Sequence, residues 1–353
     1  MTSLEVQRPD LESRLLARAR SGPPLLLAGP PGSGKTSLLL RTAARLEAAG
    51  AVPVYLDLLG AASSPDRFVA ALMGALPAAA FGRLLPRATE VRRIADAGRT
   101  HAAEAVEGAL SLLAALDDGG RVVLLLDEIT EIRSLAYFAG LRQVDRVLGR
   151  ALARRPRGTL LATSFPTLAG RFWDFERLAA GPLALAELQP ALTAAGCGWD
   201  AAALLRASAG WVRYAQILVA SARAGESLEA VWSREMLLGG RLEAACRATY
   251  ESLLLRSRGY GMSKAALAAV AQEEGLNLKA LVDRLGRTPG AVRDYLHWLI
   301  AVDALFMTRK RYFYVDGVLR HWVRLHTRGT PPSASQVEAA ARLALAEDAA
   351  HVA

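Results

Sequence analysis

"LLLAGPPGSGKTSLLLRTAARL", residues 25–46, runs from an apolar stretch through a glycine-rich turn into residues of helical spacing. Gly29, Gly34, Lys35 and Thr36 occupy the fixed places of the pattern G-x-x-x-x-G-K-[ST]. In such a loop the glycines let backbone N–H groups curl around a polyphosphate. The Lys35 ammonium reaches the terminal phosphates, and the Thr36 hydroxyl can ligate Mg²⁺. The expected phosphate cradle comprises Gly29, Pro30, Pro31, Gly32, Ser33, Gly34, Lys35, Thr36 and Ser37. Leu25 to Ala28 reads as a buried strand and Ser37 to Leu46 as a helix, so the loop feeds a helix N-terminus whose dipole favours anions.

A nucleotide site also needs a carboxylate at the end of a buried strand to hold the metal. "RVVLLLDEIT", residues 121–130, supplies it: Val122 to Leu126 is a continuous apolar run of the central parallel-strand kind, with Asp127 and Glu128 at its carboxyl end. Asp127 is read as the metal residue. Glu128 is of the type that orients or deprotonates an attacking water, which points to hydrolysis of ATP rather than its storage. A fourth strand, "GTLLATS" at residues 158–164, ends in Thr163 and Ser164. These hydroxyls contact the γ-phosphate or the attacking water, or else cap the following segment.

The apolar runs at Leu25 to Ala28, Val52 to Leu56, Val122 to Leu126 and Thr159 to Thr163 alternate with helical patterns. That alternation predicts an α/β fold, a parallel-sheet core of the P-loop NTPase kind. A short fifth strand is expected near Leu183 to Leu185, closing a core over residues 1–188. Ala/Leu-rich helices interrupted at Gly196, Gly210, Gly225 and Gly239 then suggest a helical lid over 189–256, in which Arg213 near a helix start is the candidate phosphate contact.

"KAALAAVAQEEG" (264–275), "NLKALVDRLGRTPGAVRDYLHWLIAVDAL" (277–305) and "FMTRKRYFYV" (306–315) read as three helices and a hairpin, the order of a winged helix over residues 257–328. Thr288 and Pro289 suit the start of the third helix, and Leu281, Leu285, Val292, Leu296, Leu299 and Ile300 supply a packing face. Such a module commonly lays its third helix in a DNA major groove. The candidate DNA contacts are Arg287, Thr288 and Arg293, with Arg309, Lys310 and Arg311 in the hairpin. The alternative is a module that docks on protein. Residues 329–353 read as a Pro/Ser linker and an Ala-rich helical tail.

Composition sets the limits. With 353 residues, 52% of them hydrophobic, the chain can build two or three domains. Its net charge of +9 is concentrated late: residues 241–330 hold fifteen Lys and Arg against eight Asp and Glu. No apolar run approaches the ~20 residues of a bilayer span, and "MTSLEVQRPDLESR" lacks a signal-like apolar core, so a cytoplasmic protein without membrane contact is expected. Cys197 and Cys246 have no C-x-x-C partner, which argues against a disulfide framework or a zinc site.

The succession "VQRPDLESRLL", "AGPPGSGKTSLLL", "VYLDL", "VVLLLDE", "LLATS", a helical lid, a winged helix and the closing "RYFYVDGVLRHWVRLH" resembles the archaeal-type ATP-binding proteins, a P-loop group in or near the AAA+ and STAND ATPases. The closing segment is the most distinctive part, at Tyr314, Asp316, Arg320 and Trp322. The resemblance implies that the Thr159 to Thr163 strand lies between the phosphate-loop and Asp127 strands, and that Arg8 and its neighbours border the nucleotide base. It also implies a homo-oligomer in which Arg171 or Arg177 reaches a neighbour's nucleotide. Phe165 stands where STAND ATPases carry an Arg after the fourth strand, and Val212 where the family's lid carries a Pro. The readings left open are an ATP/ADP switch that moves a module bound to double-stranded DNA, and a regulatory ATPase whose winged helix is a protein-docking or autoinhibitory lock. A small-molecule kinase leaves everything beyond the core unexplained.

Overall fold

The computed structural model describes residues 4–76, 81–96, 101–116, 121–155 and 157–347. It divides into two compact units, one of Arg8–Gly29 and Gly34–Ala180, the other of Met1–Gln7, Pro30–Ser33 and Gly181–Ala353. The expected boundary at residue 188 falls within a helix, and the end of the tail, residues 348–353, lies outside the described residues.

The first unit holds α1 (Pro9–Arg20), β1 (Leu25–Ala28), α2 (Lys35–Ala48), β2 (Val52–Asp57), α3 (Leu58–Ala61), α4 (Pro65–Ala75), α5 (Phe81–Asp96) and α6 (Ala102–Ala115). These are followed by β3 (Val122–Asp127), a 3-10 helix (Ile129–Tyr137), α7 (Val144–Ala153), β4 (Thr159–Thr163), α8 (Pro166–Ala169) and β5 (Glu176–Ala179). All five strands are parallel in the order β2-β3-β4-β1-β5, with β4 inserted between β1 and β3 as the resemblance implies.

Period-two alternation decides what each face of the sheet buries. Leu26, Val54, Leu56, Leu124, Leu126 and Leu161 join one core with Phe68, Leu72, Leu110 and Leu148. Leu25, Leu27, Val123, Leu125, Leu160 and Ala162 join the other with Leu15, Leu38, Leu39 and Leu46. Every side chain of β1, β3 and β4 is buried, because helices cover both faces. A Leu-to-Ala change there costs about 2–5 kcal/mol.

The fifth strand is not at Leu183 to Leu185. It is β5, which pairs with β1 alone and buries only Leu178. An edge strand needs few apolar residues, so "ERLA" carries little signal. Pro182 lacks a ladder donor, and the Leu183 N–H donates instead to Gly210 O at 2.8 Å.

The second unit contains α9 (Leu185–Ala194), α10 (Ala201–Ala207), α11 (Val212–Ser221), α12 (Leu228–Met236), α13 (Arg241–Arg256), α14 (Tyr260–Gln272), β6 (Leu276–Asn277), α15 (Leu278–Leu285) and α16 (Pro289–Ala301). It ends with β7 (Leu305–Thr308), β8 (Arg311–Tyr314), α17 (Gly317–His326) and α18 (Ala334–Ala346). Strands β6, β8 and β7 form a small antiparallel sheet. Leu281, Val292, Leu296 and Leu299 are buried as expected, while Leu285 and Ile300 are partly exposed. Ser333 and Gln336 form a capping box on α18, which packs on α12 and α10.

Candidate functional site

At the carboxyl edge of the sheet, Thr36 in the first turn of α2 donates its hydroxyl to Asp127 Oδ2 at 2.6 Å. Asp127 Oδ1 accepts the Glu128 N–H at 3.0 Å, and Oδ2 also accepts the Tyr55 hydroxyl at 3.1 Å. Asp127 is buried to 2% exposure. One hydroxyl beside one carboxylate is a donor set that Mg²⁺ uses together with phosphate oxygens and water, so the residues fit that ion, which Thr36 and Asp127 would hold.

Lys35 is also buried. Its Nζ donates to Ser164 Oγ at 3.0 Å and lies 4.0 Å from Glu128 Oε1. Burial lowers the Lys35 pKa, opposed by the negative charges of Glu128 and Asp127. Glu128 takes a left-handed backbone (φ 49°, ψ 51°), a conformation that costs a non-glycine residue about 1–3 kcal/mol. That conformation turns its carboxylate to Ser164, whose N–H donates to Oε2 at 2.8 Å and whose hydroxyl donates to Oε1. Glu128 therefore accepts from Ser164 at both oxygens.

The two hydroxyls at the end of β4 have separate roles. Thr163 Oγ1 accepts the Phe165 N–H at 3.0 Å and meets Thr130 Oγ1 at 3.3 Å. Ser164 meets the Lys35 and Glu128 pair. Tyr55 had no signal in the sequence, because its partner lies on a strand brought alongside only by tertiary pairing. Burial first, then the adjacent Asp127 charge and hydrogen bond, push its pKa well up, so its hydroxyl keeps its proton.

Of the other expected residues in this unit, Arg8 is buried and its carbonyl accepts the Glu12 N–H at the start of α1. Gly29 donates to Thr163 O at 3.3 Å, Gly34 (φ 89°) starts α2, and Ser37 is exposed. Arg171 and Arg177 are both exposed, and the Arg177 guanidinium lies against Gly170.

In the second unit, Ser33 donates its N–H to Pro30 O, and Pro30 and Pro31 are half-buried. Gly32 (φ 86°) accepts the Arg213 N–H at 3.1 Å, and a Cβ on Gly32 would lie 2.9 Å from Arg213 Cβ. An N–H without an intrahelical partner at the start of α11 thus donates to the tip of the phosphate loop. The next residue, Tyr214, donates to Asp316 Oδ2 at 2.6 Å, and Asp316 Oδ1 accepts the Leu319 N–H to cap α17. Burial raises the Asp316 pKa, opposed by those hydrogen bonds.

At the hairpin, Arg309 and Lys310 have φ of 48° and 63° and are exposed, as the two central residues of a type I′ turn require. Arg287 and Arg293 are exposed. Thr288 caps α16 with its hydroxyl, and Arg311 donates to Gly275 O at 2.7 Å.

Residues 5–162 match the family model of the AAA ATPase domain. Over those residues the chain is similar to the AAA ATPase domain, and the protein is an ATPase. Among solved structures, a Walker-type ATPase of Pyrococcus abyssi is 12% identical with a TM-score of 0.65, covering 91% of this chain and 96% of its own; the likeness is one of fold. The RuvB Holliday junction branch migration motor of Thermotoga maritima is 18% identical, covering 90% and 94%, with a TM-score of 0.37. Cdc6p of Pyrobaculum aerophilum is 13% identical, covering 98% and 96%, with a TM-score of 0.34. No curated protein sequence matches the chain. Among the described residues, no helix is long and apolar enough to cross a membrane.

Proposed function

We propose that this ATPase is a Mg²⁺-dependent switch whose nucleotide state positions a C-terminal winged-helix module on double-stranded DNA. One chain of contacts carries the reading: Gly32 of the phosphate loop is bonded to Arg213, Arg213 adjoins Tyr214, and Tyr214 is bonded to Asp316 between β8 and α17. A shift in the loop tip is thereby transmitted to the base of the hairpin through two hydrogen bonds and short covalent steps. In hydrolysis Lys35 neutralises the terminal phosphates and Glu128, once released from Ser164, takes a proton from the attacking water. The water oxygen bonds to the γ-phosphorus as the bond from that phosphorus to the bridging oxygen breaks, giving ADP and inorganic phosphate, and Glu128 returns its proton to the phosphate. Thr36 and Asp127 would hold Mg²⁺, which would supply positive charge against the phosphate oxygens. Arg213 is proposed to sense the phosphates, Arg8 to border the base, and Arg171 or Arg177 to act on a neighbouring copy.

The helix–strand–helix–helix–hairpin order and the exposed cations Arg287, Arg293, Arg309 and Lys310 support DNA as partner. Because Arg309 and Lys310 hold left-handed backbones that glycine or asparagine would adopt more easily, the tip retains charge against local preference. The test is a titration of random duplex DNA over a range of salt. Four phosphate contacts predict a log–log slope of about −3.6, and replacing Arg309 and Lys310 by Ala should reduce its magnitude by about 1.8. An unchanged affinity and slope in that variant assigns the module to protein docking instead.

A further inference from the structure

We propose that Tyr55 is a positioning residue for the metal carboxylate, fixing Asp127 from outside the phosphate loop; the inference rests on the reading of Thr36 and Asp127 as the Mg²⁺ holders. Strands β2 and β3 are in register with Tyr55 beside Leu125 and Asp57 beside Asp127. Tyr55 and Leu125 belong to the sheet face covered by α1 and α2, and Asp127, two residues on, shares that face. The phenol spans the diagonal from its own register position to Asp127, a distance that a short side chain does not bridge. Its hydroxyl ends 3.1 Å from Oδ2.

The two donors on Oδ2 differ in what they can do once a cation is present. Thr36 would give a lone pair of its hydroxyl to the ion while its hydrogen can still donate to Oδ2, so its position becomes tied to the metal. Tyr55 comes from another strand and packs against the core that α1 and α2 cover, so its place on Oδ2 does not depend on the ion. With the Glu128 N–H on Oδ1, it leaves the carboxylate one orientation. Partners of this kind, which hold a ligand without touching the metal, typically change metal affinity by 10- to 100-fold when lost.

The test is Tyr55→Phe, which removes one oxygen and keeps the packed ring. ATP binding is measured by calorimetry across a Mg²⁺ titration and again in EDTA. The Mg²⁺ concentration for half-maximal binding should rise about 10- to 100-fold while ATP affinity in EDTA and the thermal midpoint stay at wild-type values. A merely structural role would lower the midpoint and weaken binding in EDTA as well, which overturns the proposal. So does a Tyr55→Phe protein with the wild-type Mg²⁺ requirement. A wild-type protein whose ATP binding ignores Mg²⁺ refutes the metal assignment itself, a result distinct from either.

Discussion

The sheet unit and the helical unit build function in opposite ways. In the sheet unit, short contiguous motifs end buried strands, so the backbone that forms the core also delivers Lys35, Thr36, Asp127 and Glu128 to one edge. In the helical unit, Arg213, Tyr214 and Asp316 come from segments about a hundred residues apart, and only packing brings them together. Chemistry that must recur in every nucleotide site is written locally. The contact between Tyr214 and Asp316 is written in tertiary packing.

The sharpest way to break the first half of that comparison is to separate binding from hydrolysis. Lys35→Ala should abolish tight ATP binding. Glu128→Gln should keep it and slow single-turnover hydrolysis by about 10²-fold or more, because only one of the two residues prepares water. Equal turnover in Glu128→Gln and wild type would remove Glu128 from the chemistry.

How far the sequence could be read follows the same division. The loop, the first four strands and the Asp127–Glu128 pair were legible because their signals are contiguous: an apolar run, then glycine or carboxylate. Strand β5 was misplaced because one buried leucine, Leu178, does not distinguish an edge strand from a loop. Tyr55 and the Ser164 clamp on Glu128 were illegible for another reason. They depend on register between strands distant in sequence, and on a left-handed Glu128 that no local preference favours. Asp316 could be pointed to through family resemblance alone; its partner Tyr214 could not.

A smaller effect sharpens the second half. Asp316→Ala leaves the buried Tyr214 hydroxyl and the Leu319 N–H without their acceptor, at about 1–3 kcal/mol each, and should lower the unfolding free energy without altering ATP affinity. Asp316→Asn keeps an acceptor and should be far milder. Since burial raises the Asp316 pKa above its ordinary 3.8, the folded chain binds that proton more tightly than the unfolded chain. Its contribution is therefore full below pH 3.8 and is lost as pH rises through the folded value. Denaturant unfolding of wild type and Asp316→Asn across that window should show the wild type losing ground as pH rises; parallel curves would mean that Asp316 titrates alike in both states.

The switch itself is tested most directly by duplex DNA affinity in the Glu128→Gln protein with Mg²⁺·ATP and with ADP, repeated with Tyr214→Phe added. The contact chain from Gly32 to Asp316 predicts affinities that differ between the two nucleotides by about 5- to 150-fold, the ordinary range of coupling between sites. Removing the Tyr214 hydroxyl should bring that ratio close to one while ATP still binds. Equal DNA affinities with ATP and ADP in the Glu128→Gln protein, or an undiminished ratio after Tyr214→Phe, would contradict the account.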